Sequence, residues 1–126
     1  MSLIVVDAAN VMGARPDGWW RDRAGAAGRL LAAMGADLTE SAEVAVVLEG
    51  AARAAAEPGT FNGIEVVHAA GSGDDAIVGL VAAAAAGDPN RSLTVVTADR
   101  GLRARVEELG AQVHGPRWLI RRLEDW

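Results

Sequence analysis

Four short apolar runs, each ending near a charged or titratable residue, constrain this chain more than any other feature. Leu3-Ile4-Val5-Val6 stops at Asp7, and Val44-Ala45-Val46-Val47-Leu48 stops at Glu49. Ile64-Glu65-Val66-Val67 ends near His68, and Leu93-Thr94-Val95-Val96-Thr97 ends just before Asp99. Apolar runs this short and this continuous are expected of strands covered on both faces. The segments between them have helical spacing. Trp20, Ala24, Ala27, Leu31 and Met34 fall on one stripe and predict a helix over about residues 19–35. Ile77, Leu80, Val81 and Ala84 predict another, with the low-complexity patch Ala82 to Ala86 read as plain helix. Leu102, Val106 and Leu109 predict a third, closed by Gly110 as a left-handed C-cap.

Residues 50–57 are Ala-rich and read as helical up to Pro58-Gly59, and Pro116 opens a last short helix through Trp118, Leu119 and Leu123 toward Trp126. A fifth strand is expected at Ala111 to His114. Strands that alternate with helices need crossover connections, so the pattern predicts an α/β fold with a central, mainly parallel sheet of four to five strands. With 126 residues and no linker or repeat, the whole chain 1–126 reads as one domain.

Composition removes several classes of function. No apolar run approaches the length of a membrane span. The first residues carry no cationic segment and meet Asp7 before a signal-length apolar stretch could form, which predicts a cytoplasmic protein. There is no cysteine, so no disulfide and no thiol nucleophile, and His68 and His114 are too few and too far apart for a zinc motif. Each histidine, at a strand end, reads as a satisfied side chain. Any metal would need oxygen ligands.

Oxygen ligands are what the strand ends supply. Ligands of an open parallel sheet bind beyond the carboxyl ends of its strands. There stand Asp7, Glu49 and Asp99, while Asp74 and Asp75 open the helix after the third run. Helical spacing puts Asp74 on the stripe of Ile77 and Val81, and Asp99 on the side of Leu102, whereas Asp75 is rotated away by one residue. Gathered carboxylates repel and are costly to keep ionised without a cation. A hard divalent ion such as Mg²⁺, which binds a few carboxylates and keeps some of its waters, answers that cost. Each residue also has an ordinary structural use: Asp74 and Asp75 within a Ser72-x-x-Asp75 capping box, Asp99 as an N-cap, Glu49 as a solvated turn residue and Asn10 as the closure of its own turn.

Three segments carry a family resemblance: Val5-Val6-Asp7-Ala8-Ala9-Asn10-Val11, Gly73-Asp74-Asp75-Ala76-Ile77 and Thr97-Ala98-Asp99-Arg100-Gly101-Leu102. Together they resemble the NYN branch of the PIN-like nuclease domains over nearly the whole chain, and the stretch Arg15 to Arg23 is similar to small actinobacterial members. The resemblance implies a Rossmann-like three-layer α/β/α domain and Mg²⁺- or Mn²⁺-dependent hydrolysis of RNA phosphodiesters by an activated water. It makes Asp7, Asn10, Asp74 and Asp99 the catalytic set and Asp7, Asp74, Asp75 and Asp99 metal ligands. Glu49 joins the metal set by its place after the second run, outside the family's motifs. Ala8-Ala9 stands where many members have Gly or Asn.

The net charge of −5 opposes nucleic-acid binding at first sight. Without the five site acids, however, 17 acidic residues become 12, equal to the 12 arginines. Arg15, Arg21, Arg23 and Arg100 border the expected site and are the substrate-binding candidates, with single-stranded RNA the favoured partner. Arg21 and Arg23 could equally serve on a solvated face paired with acids such as Asp22. Trp20 is expected in the core, and Trp19 and Trp126 in packing or a subunit contact, which leaves a homodimer or protein partner open. Two rivals remain: a metal-dependent nucleotide pyrophosphohydrolase or phosphatase using the same carboxylates, and a non-catalytic RNA- or protein-binding module on the same fold. A receiver domain would need a lysine near the last strands, and the chain has none.

Overall fold

The computed structural model describes residues 2–15 and 17–123, without the side chains of 36 and 37. The expected positions of Pro16 and Trp126 lie outside the described residues. The sheet has six strands: β1 (Leu3–Asp7), β2 (Glu43–Leu48), β3 (Gly59–Phe61), β4 (Ile64–His68), β5 (Leu93–Val96) and β6 (Gln112–His114). Their order is β3-β4-β2-β1-β5-β6. All neighbours are parallel except β3 and β4, which pair antiparallel across the turn at Asn62 and Gly63, both with positive φ.

The expectation of four to five strands omitted β3. Its three residues, Gly59, Thr60 and Phe61, are all exposed, so burial imposes no apolar pattern on them. The other strands stand where the apolar runs are.

Five α-helices flank the sheet: α1 (Ala8–Gly13), α2 (Arg23–Asp37), α3 (Gly73–Gly87), α4 (Arg100–Glu107) and α5 (Pro116–Ile120). Alternation along β1 explains why its run is uninterrupted. Ile4 and Val6 join Val11, Leu30, Leu31, Met34 and Leu119 on one face, under α1, α2 and α5. Leu3 and Val5 join Ile77, Val81, Leu102 and Val106 on the other, under α3 and α4. Each fully buried aliphatic side chain contributes on the order of 1.5–3 kcal/mol relative to exposure. Gly110, with φ of 93°, ends the turn after α4 as the spacing predicts.

Two expectations are corrected. The helix expected over 19–35 is broken: Trp19–Arg21 forms a 3₁₀ turn, and α2 starts only at Arg23. Asp22 causes the break, because its carboxylate accepts the Gly25 N–H at 2.8 Å and caps the new helix. Trp20 is thereby taken off the buried stripe and is 53% exposed, whereas Trp19 packs against the core. The second correction concerns the stretch read as helical over 50–57: residues 50–55 form a 3₁₀ helix. The segment after Asp7 forms α1, with Val11 and Met12 buried.

These positions give a contrast in stability. Trp19→Ala is expected to cost about 1–3 kcal/mol and Trp20→Ala less than about 0.5 kcal/mol. Urea unfolding of both variants checks it, and equal losses would return Trp20 to the core.

Candidate active site

From β1 the chain turns to β2 on one side and β5 on the other, so the crevice beyond the carboxyl ends of β1 and β5 is the switch point of the sheet. Asp7 stands there, the last residue of β1 and only 4% exposed. By alternation it shares a face with Leu3 and Val5, the face on which α3 and α4 begin. Its strand partner is Val47. A Cβ on Gly73 would lie 3.5 Å from Val47, so the start of α3 crosses close to Asp7's neighbour.

Two side chains hold Asp7, and both donate to the same oxygen. Asn10 Nδ2 reaches Oδ2 at 2.6 Å and Thr97 Oγ1 reaches it at 2.8 Å. Asn10 sits on the first turn of α1, and its Oδ1 accepts the Ala98 N–H at 3.3 Å. Thr97, 3% exposed, also accepts the Asp99 N–H at 3.1 Å. These bonds tie β1, α1 and the segment from β5 to α4 into one network. Thr97 opens the third segment that carries the resemblance but is not among the expected site residues. A threonine closing a buried apolar run two residues before an acid was the signal available.

The remaining acids are arranged around this centre. Glu49 accepts the Gly73 N–H at the start of α3, and Gly73 leaves room for it: a Cβ there would stand 3.2 Å from Glu49 Oε2. Asp99 Oδ1 accepts the Leu102 N–H at 3.0 Å and caps α4. Asp75 is exposed and pairs with Arg105 across to α4 at 3.0 Å. Ser72 makes no side-chain capping bond, so the expected capping box is not formed. Asp74, half-buried, makes no hydrogen bond or ion pair among the described residues.

Glu49 is the acid whose charge acts on both Asp7 and Asp74. Burial pushes the Asp7 carboxyl above its ordinary pKa; hydrogen bonds from Thr97 and Asn10 oppose the rise, and the Glu49 charge adds to it. Burial also raises Asp74, followed by the charges of Asp99 and Glu49, with Arg105 opposing. Among the described residues no three of the His, Asp and Glu side chains lie close enough to hold a metal ion directly. The donor set still fits a hard, hydrated ion: every candidate ligand is a carboxylate, and Mg²⁺ commonly takes only one or two of them directly.

Two cavities adjoin Asn10's helix. One of about 550 Å³ opens beside Asn10, Gly13, Ala98 and Arg117. The other, about 240 Å³, lies between Ala9, Trp19, Arg23 and Glu49. Of the expected substrate arginines, Arg23 lines the second cavity and lies over the Trp19 ring at 5.5 Å. Arg21 lies over Trp20 at 5.9 Å. Arg15 lines a further cavity with Arg117 and Arg121. Arg100 is exposed at the first position of α4.

No family description and no curated protein matches this chain. Solved structures similar to it include two of Rae1 (YacP) from Bacillus subtilis. The single-substitution mutant has a TM-score of 0.77 at 22% identity, covering 96% of this chain and 74% of that one. The other has a TM-score of 0.76 at 23% identity, covering 96% and 72%. The likeness shows the PIN-like α/β fold.

The raised carboxyls contribute a pH dependence to stability. The folded protein keeps the Asp7 and Asp74 protons to higher pH than the unfolded chain does, so their contribution is fully present below the unfolded carboxylate pKa, near 4, and is lost as pH rises through the folded values. Without metal, Asp7→Asn is therefore expected to melt at or above wild type at pH 7, with the difference shrinking toward pH 3. A large loss of Tm at pH 7 would make the ionised Asp7 a structural requirement. Asp99→Ala differs, because it loses a cap and about 1 kcal/mol, while Asp99→Asn retains the cap.

Proposed function

We propose that this chain is a divalent-metal-dependent ribonuclease that hydrolyses phosphodiester bonds of single-stranded RNA with water as nucleophile. The observation that carries the reading is the buried Asp7, fixed at the switch point by Asn10 and Thr97, with Glu49 acting on both it and Asp74. Buried ionisable groups held by such partners cluster at functional sites. The PIN-like fold and the sequence resemblance to NYN nucleases support it.

Asp7 and Asp74 would hold Mg²⁺ or Mn²⁺, with Asp99 and Glu49 adding negative charge around it. When bound, such an ion neutralises a phosphate and acidifies water at neutral pH. Asn10 and Thr97 fix Oδ2 of Asp7, which orients the whole carboxylate before substrate arrives. Asp74 is the acid whose carboxylate is not committed to another protein group, so it is the one able to take up a proton from an attacking water. Asp75, engaged by Arg105, serves α3–α4 packing in this scheme.

With Mg²⁺ or Mn²⁺ the protein is expected to cleave single-stranded RNA and leave 5′-phosphate ends. EDTA should stop the reaction, and Asp7→Asn should lower it by roughly 100-fold or more. Cyclic-phosphate ends, or activity that survives both treatments, would overturn the reading. Hydrolysis of nucleoside triphosphates with RNA untouched would replace it with the pyrophosphohydrolase alternative on the same residues.

Thr97 gives a further check on the network. Thr97→Val removes the donor to Asp7 and the acceptor for the Asp99 amide, and should reduce activity or metal affinity by about 10–100-fold. Thr97→Ser keeps both bonds and should restore most of the activity. Equal loss in the two variants would assign Thr97 to packing alone.

A further inference from the structure

The groove between α1 and α5 leads away from the candidate site and becomes cationic along its length. At its inner end Asn10 accepts from the Ala98 amide and donates to Asp7. The cavity of about 550 Å³ starts there, between Asn10, Gly13 and Ala14 on one wall and Ala98, Pro116 and Arg117 on the other. A second cavity of about 260 Å³ follows, lined by Arg15, Arg117, Ile120 and Arg121. Ala14 and Arg117 line both, so the two cavities adjoin and form a trough. It runs from Asn10, the residue that holds Asp7, to a cationic end.

Arg117 and Arg121, at that end, differ from most other arginines on the surface. Arg91 pairs with Glu43, Arg103 with Glu107 and Arg105 with Asp75. Arg122 lies over the Trp118 ring at 4.0 Å and donates to the Trp118 carbonyl. Arg117 and Arg121 are exposed and make no salt bridge among the described residues. Four residues apart, they lie on one side of the α5 turn, separated by about 6 Å along its axis. That interval is comparable to one nucleotide step of an extended strand.

We infer that this trough binds the single strand on one side of the scissile phosphate, with Arg117 and Arg121 each receiving one backbone phosphate. The inference rests on the ribonuclease reading for the identity of its inner end, and it adds the path of the substrate. A mononucleotide would fill only the inner cavity and leave the cationic end without an anion. A ligand that meets both ends must repeat its negative charge along its length, as a phosphodiester strand does. The small side chains of Gly13, Ala14 and Ala98 keep the middle open for sugar and base. Specificity for sequence is not expected here, because phosphate contacts position a strand without reading it.

The test is binding of a fluorescein-labelled ten-nucleotide oligouridylate in Mg²⁺, measured by anisotropy over a range of salt, on an Asp7→Asn background. Adding Arg117→Ala and Arg121→Ala should weaken binding by about 10-fold or more and reduce the slope of log K against log salt by about one per arginine. Arg29→Ala, on exposed α2 surface, should change neither. Unchanged affinity and slope in the double variant, with its melting temperature retained, would overturn the trough as the strand's path. Failure of the ribonuclease reading is a separate result: wild-type protein would leave RNA intact, while the binding comparison would still decide for or against the trough.

Discussion

A buried carboxylate with two fixed donors on one oxygen is the interaction on which the rest of this site depends. Asp7 ends the central strand of the sheet, where removal from water opposes its ionisation. Asn10 and Thr97 offset part of that cost and come from different places: the helix that follows Asp7 and the end of a strand ninety positions away. Because Thr97 also receives the Asp99 amide, the same hydroxyl that orients Asp7 sets where α4 begins. The orientation of one acid and the position of another are therefore coupled through a single side chain.

The two-sided core makes this placement possible. Alternation on β1 sends Ile4 and Val6 to α1, α2 and α5, and Leu3 and Val5 to α3 and α4. The next residue in that alternation, Asp7, belongs to the α3–α4 face just beyond the packed layer. Glu49 and Gly73 bring the start of α3 to the same edge: the carboxylate accepts the glycine's amide, and no Cβ stands in its way. Backbone hydrogen bonds thus anchor Glu49 and Asp99, a side-chain network anchors Asp7, and Asp74 is left as the uncommitted acid.

Charge is distributed by position more than by total. A net charge of −5 says little about a surface on which the acids gather at one sheet edge and Arg117 and Arg121 stand at the far end of an adjoining groove. Burial first, and the neighbouring acids after it, raise the proton affinity of Asp7 and Asp74. A cation would lower it, and an anionic strand would meet Arg117 and Arg121 at the far end of its path.

By itself the sequence determined the strands buried on both faces, since continuous apolar runs have no other economical use in a domain of this size. It also determined that acids follow those runs, because the end of an apolar strand is where polarity must return. Gly110 was legible for a local reason, a left-handed turn after a helical stripe. Trp20 is misplaced by the helical period because that period assumes an unbroken helix, whereas the Gly25 amide donating to Asp22 starts the helix only at Arg23, after Trp20. β3 was invisible because an exposed edge strand has no face to bury. Only tertiary structure decided that Thr97 would serve Asp7, that Asp75 would turn to Arg105, and that Arg117 and Arg121 would face the end of α1. Those are contacts between residues distant in the chain, set by strand order and helix packing, and no local period records them.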